Sequence, residues 1–185
     1  KICTNEKGRF SKTLQCPYHG WTYNLQGNLI GAPNMDAVID FNIGDYPLHA
    51  AKITEWEGFV FINFSDEPEE FQLAYSSIIN HFSDWGMANL NTIETKRYYV
   101  NCNWKLIIQN YSECYHCPLI HPELADITPY TGSRNNMVSG PFLGGYMEMK
   151  SASITQDGKL SGPTIGNLSD EDLNRVYYYT LFPNT

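Results

Sequence analysis

Apolar residues follow two different rhythms along this chain of 185 residues. Over 1–64 they come in short β-type runs broken by turn residues. These are Thr13-Leu14-Gln15-Cys16, Trp21-Thr22-Tyr23-Asn24-Leu25 with a Gln26-Gly27-Asn28 turn, and Phe59-Val60-Phe61-Ile62-Asn63-Phe64. A small β domain is predicted there. Asp66-Glu67-Pro68-Glu69-Glu70 is acidic and broken by proline, which suits a connection, and Glu69 and Glu70 favour a helix start. The spacing then changes to threes and fours: Phe71, Tyr75, Ile78, Ile79, Phe82 and Trp85 predict an amphipathic helix over 71–85, with Gly86 able to end it. The domain boundary is expected near residue 70, dividing 1–70 from 71–185.

Further along, 97–101 reads as a strand. Asn103 is placed to cap a helix running through Trp104, Leu106, Ile107, Ile108 and Tyr111 to about His116. Residues 145–155 are strand-like, Ser169-Asp170-Glu171-Asp172 resembles a capping box opening a short helix to Val176, and 177–182 is again strand-like. There are no internal repeats. The chain opens without Met in a turn-bearing region and stops just after a strand, which predicts an internal fragment.

Composition narrows the possibilities. With 42% apolar and 14% aromatic residues the chain can build a packed core. A net charge of −8 and no basic run argue against nucleic-acid partners. No apolar stretch approaches the roughly 20 residues of a membrane span, and Lys1-Ile2-Cys3 does not open a signal peptide, so a cytoplasmic protein with no membrane partner is expected. Five cysteines is an odd number without the spacing of a secreted disulfide framework, which favours thiolate ligands or reduced core cysteines. Cys102, Cys114 and Cys117 read as small core residues. Cys3 lacks a partner, because Asn5 stands where a Cys-x-His pair needs histidine.

Two segments carry chemistry. One is Cys16-Pro17-Tyr18-His19-Gly20-Trp21. The other runs Asn110-Tyr111-Ser112-Glu113-Cys114-Tyr115-His116-Cys117-Pro118-Leu119-Ile120-His121-Pro122. Either alone is weak, because a Cys-x2-His or a His-x4-His arises readily by chance. Both in this order point to iron. Glu113 and His116, three apart, would share a helix face, so the carboxylate can orient the ring. A straight helix would set His116 and His121 about 140° apart, too far around for one ion. Pro118 has no N–H and clashes one turn back, so a break between the histidines is expected to bring them together. Two imidazoles and a carboxylate are the facial set that holds non-haem Fe(II) and leaves positions open. A third ligand is not evident. The plainer readings are a satisfied histidine pair, a buried Cys16 thiol beside a hairpin histidine, and a structural zinc on Cys114, Cys117 and a histidine, although the second cysteine pair of a zinc ribbon is missing.

With these residues in place, the chain resembles the central part of the α subunit of a Rieske-type non-haem iron oxygenase, the ring-hydroxylating oxygenase superfamily. Cys16-Pro17-Tyr18-His19-Gly20-Trp21 is similar to the second half of the Rieske signature, Cys-x-His followed by Cys-x2-His. Asn103-Trp104-Lys105 leading to Asn110, Glu113, His116 and His121 is similar to the mononuclear iron motif. The resemblance implies an α+β fold: the C-terminal part of a Rieske [2Fe-2S] β domain, then the first part of a helix-grip-like catalytic domain with an antiparallel sheet. It implies that Cys16 and His19 supply one cluster ligand of each kind and that His116 and His121 hold Fe(II). Glu113 would bridge His116 to His19 of the partner subunit in a head-to-tail homotrimer, and Asn110 would face the iron pocket. Electrons would come from NAD(P)H through a reductase, in some members by way of a ferredoxin, to activate O2 for attack on a small-molecule substrate. A separate β subunit accompanies some members.

Two departures matter. The first Cys-x-His pair is absent, and the family's third iron ligand, an aspartate, is expected beyond Thr185. Asp126 is too close, and Asp170 and Asp172 fall in an apparent surface helix, so this fragment by itself is expected to be inactive. Glu113 also stands where ring-hydroxylating members often have aspartate. The Glu-Cys-Tyr-His-Cys-Pro segment is similar to the choline and glycine-betaine monooxygenase branch, implying hydroxylation or oxidative demethylation of a small quaternary amine. An aromatic-ring dihydroxylating dioxygenase is the alternative. Thirteen tyrosines can furnish cation–π contacts, while Tyr177, Tyr178 and Tyr179 individually read as ordinary strand residues. A pure electron carrier would need only the β domain. A zinc-stabilised, non-enzymatic module would bind zinc without sulfide.

Overall fold

A computed structural model describes residues 2, 3, 5, 7–135 and 138–182. Two compact units result, one formed by 1–53 with 62–68 and the other by 54–61 with 69–185. In the first unit three short strands, β1 (Thr13–Gln15), β2 (Thr22–Asn24) and β3 (Leu29–Gly31), pair antiparallel in the order β1-β2-β3. The expected Gln26-Gly27-Asn28 turn joins β2 to β3. Asn24 Oδ1 closes it by accepting the Gln26 and Asn28 N–H groups at 3.1 and 2.9 Å. Trp21, Phe41 and Tyr46 pack against one another with ring centroids 5.0–5.8 Å apart.

A hairpin follows, β4 (Lys52–Trp56) with β5 (Phe59–Asn63), its tip grouped with the second unit. β5 is the expected run, whereas β4 has no counterpart in the sequence reading. The turn carries positive φ at both Glu57 (49°) and Gly58 (83°), the type I′ geometry that matches strand twist.

The helix expected over 71–85 is two shorter ones, α1 (Phe71–Ala74) and α2 (Ser76–His81). Tertiary packing interrupts it at Tyr75, whose φ of −107° and ψ of 15° leave the helical region. The Tyr75 hydroxyl donates to the Phe182 carbonyl at 3.0 Å, and its ring stacks on Phe71 at 4.6 Å. No strand forms over 97–101. That stretch is exposed and finds no partner, and an extended segment without a ladder has nothing to fix it.

Three strands complete the second unit: β6 (Ser133–Asn135), β7 (Phe142–Glu148) and β8 (Arg175–Leu181), antiparallel in the order β6-β7-β8. The strand expected over 145–155 therefore starts earlier and stops at Glu148. Local side-chain bonds take over beyond it: Ser151 Oγ donates to the Ser153 carbonyl at 2.8 Å, and Thr155 Oγ1 contacts Asp157 Oδ1 at 3.0 Å. The capping box forms as expected and opens a third short helix, Asp170–Leu173, but that helix ends before Val176 because β8 begins at Arg175.

Alternation along the strands gives the β6-β7-β8 sheet two distinct faces. Phe142, Tyr177, Tyr179 and Leu181 meet Tyr75, Ile78 and Phe82 of the helical layer, forming the core. Ile78 is 1% exposed and sits at its centre. The architecture is thus α+β with antiparallel sheets, as expected. Among the described residues no helix is long and apolar enough to cross a membrane.

Candidate iron centre and its pocket

The opposite face of the sheet meets the segment that carries the histidine motif. A helix over Trp104–Tyr111, numbered α3, is capped as expected by Asn103, whose Oδ1 accepts the Lys105 N–H at 3.0 Å. It ends at Tyr111 rather than near His116. Ser112 terminates it: its hydroxyl and its N–H both bond the Ile108 carbonyl, at 2.8 and 2.9 Å. Glu113 and His116 consequently lie on a turn and not on one helix face. The turn still brings them together, with Glu113 Oε1 2.5 Å from His116 Nδ1 and Oε2 accepting the Tyr115 N–H at 2.7 Å. The hydrogen bond to His116 is the main cause that holds the Glu113 carboxyl below the ordinary carboxylate range. With Nδ1 engaged by the carboxylate, Nε2 is the His116 nitrogen left for a ligand.

Two four-to-six-residue helices follow, α4 (Cys117–Ile120) and α5 (Pro122–Ile127). Pro118 does not break a long helix. It occupies the first turn of α4, where its missing N–H has no helical acceptor to lose. The change of direction falls at His121 (φ −130°, ψ 58°), whose N–H bonds the Cys117 carbonyl at 2.8 Å. The outcome matches the expectation by another route: the His116 and His121 rings lie 5.5 Å apart, inclined at 72°.

The cysteine reading needs correction. Cys114 and Cys117 form a disulfide, with Cα atoms 5.0 Å apart; Cys102 is exposed instead of buried, whereas Cys117 is buried as expected. The bond spans Tyr115 and His116 and so closes the turn that presents the first histidine. Local proximity across two intervening residues makes this pairing geometrically available.

His116 and His121 line a cavity of about 480 Å³ together with Asn110 and Glu113. Its far wall is the sheet, through Ser133, Asn135, Met147, Val176 and Tyr178. All four motif residues singled out from sequence therefore meet at one cavity. The donor set suits a single ion: two imidazoles inclined to each other, one backed by a carboxylate that fixes its tautomer. Among the described residues no third His, Cys, Asp or Glu joins them.

Cys16 and His19 occupy the tight turn between β1 and β2. Cys16 N–H bonds the Trp21 carbonyl at 2.8 Å, Gly20 N–H bonds the Cys16 carbonyl at 3.0 Å, and Gly20 takes a left-handed φ of 73° that favours glycine. The Cys16 side chain is half-buried and the His19 ring exposed, its centroid 3.8 Å from that of Tyr18 with the two planes tilted by 44°. One thiol and one imidazole on a rigid turn are the donors that half of a [2Fe-2S] Rieske site requires.

The sheet side of the cavity was missed from sequence. A usable signal existed, since alternation puts Tyr178 on the face opposite Tyr177 and Tyr179.

Comparison with known proteins identifies the architecture. Residues 87–185 match the ring hydroxylating alpha subunit (catalytic domain), and residues 1–47 match the Rieske [2Fe-2S] domain. The chain is 30% identical over 212 aligned positions to the glycine betaine monooxygenase oxygenase subunit of Pseudomonas aeruginosa, covering 95% of this chain and 48% of that protein. It is 32% identical over 127 positions to the carnitine monooxygenase oxygenase subunit of Escherichia coli, covering 65% of this chain and 33% of that one. Among solved structures, a quaternary ammonium Rieske monooxygenase described with carnitine oxidation and inter-subunit electron transfer superposes with a TM-score of 0.72 at 25% identity, over 96% of this chain and 45% of that one. A naphthalene 1,2-dioxygenase shares the fold, with a TM-score of 0.66 at 15% identity over 99% of this chain and 48% of that one. The chain thus spans about half the length, or less, of these relatives. A Rieske domain followed by a catalytic domain places the chain in the ring-hydroxylating Rieske oxygenase α-subunit family.

Proposed function

We propose that the chain is part of an oxygenase α subunit that hydroxylates or oxidatively demethylates a small quaternary ammonium compound, using O2 and electrons delivered from NAD(P)H by a reductase. The observation that carries this reading is the cavity lined by a carboxylate-backed histidine pair on one side and a tyrosine-bearing sheet on the other. The relatives named for glycine betaine and carnitine support the substrate class. The aromatic-ring alternative has weaker support, a shared fold at 15% identity.

In this reading His116 and His121 hold Fe(II), completed by a ligand outside the described residues, and Cys16 and His19 hold half of the Rieske cluster, with the division between the two domains near residue 70. Iron held by these residues would supply the activation of O2. Glu113 keeps the His116 Nδ1 proton and sets the ring plane, so Nε2 stays the coordinating nitrogen. The cavity walls hold the substrate methyl group toward the histidine pair. The stoichiometry is one O2, two electrons and two protons per turnover, with one oxygen atom entering the substrate and the other leaving as water. A hydroxylated N-methyl carbon then loses its C–N bond, the bonding pair staying on nitrogen as the hydroxyl proton goes to water, giving formaldehyde and a tertiary amine. Glu113 also bridges to the cluster ligand His19 of the partner subunit in a cytoplasmic homotrimer, and Asn110 contacts the substrate side of the cavity.

Electron paramagnetic resonance on the full-length protein, reduced with dithionite and assayed for iron and sulfide, tests the metal content. A Rieske signal with about three irons and two sulfides per chain, together with formaldehyde release from glycine betaine or carnitine, is the expected result. Zinc in place of iron, or no sulfide, would sink the reading. Turnover of aromatic acids without any of amines would transfer it to ring dihydroxylation.

A further inference from the structure

Tyr178 is held in an unusual way. It pairs in register with Gly145 on β7, and Gly145 pairs with Asn135 on β6. The Tyr178 hydroxyl nevertheless reaches past β7, donating to Asn135 Oδ1 at 2.9 Å and lying 2.7 Å from Ser133 Oγ. Two strand spacings are about 9.6 Å, so the phenol must lie across the middle strand to make these bonds. It can do so because Gly145 puts no side chain between them. Anchored at Cα and by two hydrogen bonds at its far end, the ring cannot swing away. It forms part of the cavity wall that also presents Met147 and Val176, across from the histidine pair.

The other charged and aromatic groups nearby are committed or wet. Both Glu113 oxygens are engaged, by His116 and by the Tyr115 N–H. On the other sheet face the Tyr146 ring is covered by the Arg175 guanidinium at 3.7 Å. Tyr111 and Tyr115 touch the cavity but are 58% and 85% exposed, whereas Tyr178 is half-buried. A ring fixed at both ends, partly desolvated and lining a ligand space can attract a cation more strongly than an exposed one.

We infer that Tyr178, pinned by Ser133 and Asn135 across Gly145, is the residue that selects a positively charged trimethylammonium head over a neutral group of the same shape. This rests on the quaternary-ammonium reading above and adds to it the specificity-determining residue.

The test compares equilibrium binding of glycine betaine and of 3,3-dimethylbutanoate to the full-length protein. The second compound keeps the shape and the carboxylate but has carbon in place of the ammonium nitrogen. Wild type is expected to prefer betaine. Tyr178→Leu should weaken betaine binding about 5- to 30-fold and leave dimethylbutanoate nearly unchanged, while Tyr178→Phe, which keeps the ring but loses both of its hydrogen bonds, should fall between Tyr178→Leu and wild type. Should the leucine variant not fold, Ser133→Ala combined with Asn135→Ala frees the ring and is expected to lower the preference in the same direction. Equal weakening of both ligands, or an undiminished preference without the ring, would overturn the assignment of Tyr178 while leaving the substrate class standing. Wild type that binds neither compound, or shows no preference, overturns the quaternary-ammonium reading itself and the assignment with it.

Discussion

Replacing Gly145 with alanine is a sharp test of how the cavity wall is built, because local and tertiary effects predict opposite signs. Where the backbone is unstrained, Gly→Ala stabilises by about 0.4–1 kcal/mol, since alanine leaves the unfolded chain less freedom. Gly145 has no positive φ, so nothing local forbids the change. The obstacle is its neighbour: a Cβ added there would lie 1.9 Å from the Arg134 carbonyl oxygen and 2.8 Å from the Asn135 Cα. Both are backbone atoms of β6 and cannot rotate aside. Restoring even a 3.0 Å separation requires β6 and β7 to part by 1.1 Å (3.0 − 1.9) at this row. A ladder hydrogen bond lengthened that much is lost, and Asn135 is drawn away from the Tyr178 hydroxyl. Overpacking of this kind costs about 1–3 kcal/mol and each lost hydrogen bond about 1 kcal/mol, so a net destabilisation of about 2–4 kcal/mol is expected. That corresponds to a fall in Tm of about 5–15 °C for a domain of this size. Thermal unfolding followed by near-ultraviolet circular dichroism reports both the melting and the tyrosine environment. A Gly145→Ala protein that melts at or above the wild-type temperature would refute the close approach of β6 and β7.

Three further outcomes follow from the same geometry. Ile78→Ala, at the buried centre of the core, should cost about 2–5 kcal/mol in denaturant unfolding, and a loss below 1 kcal/mol would mean that the α2–sheet packing is wrong. Glu113→Ala should weaken iron retention by about 10- to 100-fold in a chelator competition, because His116 loses its orienting partner, and Glu113→Gln should recover part of it; retention equal to wild type would deny Glu113 that role. Tyr177 is pushed up to about 12, chiefly by burial and then by its hydrogen bond to Asp172. Its folded pKa is above the unfolded value near 10, so its contribution is intact below pH 10 and is lost as pH rises toward 12, where the unfolded chain ionises first. Tyr177→Phe should flatten that alkaline decline, and an unchanged pH profile would show that Tyr177 is not the group responsible.

Chemistry was the part most readily read from the chain. Cys16, His19, Glu113, His116 and His121 stand out in the chain because ligand chemistry tolerates few residue types at few spacings, and the family comparison agrees with the family they suggested. Local signals with a local physical cause were equally readable: the Asn103 cap, the Ser169–Asp172 box and the Asn24-closed turn all form within five residues of their own sequence. Tertiary structure decided wherever a longer-range contact outweighed the pattern. An apolar face continuous from Phe71 to Trp85 predicts one helix, yet the Tyr75 hydroxyl meets Phe182 more than a hundred residues away and the helix breaks there. Periodicity carried the motif helix on to His116, and the side chain of Ser112 ended it early. The pairing of Cys114 with Cys117 and the place of Tyr178 in the cavity also needed coordinates, because each depends on which atoms meet across a turn or a sheet. Residue identity determined what chemistry was possible, while strand register and helix breaks determined which side chains would face one another to perform it.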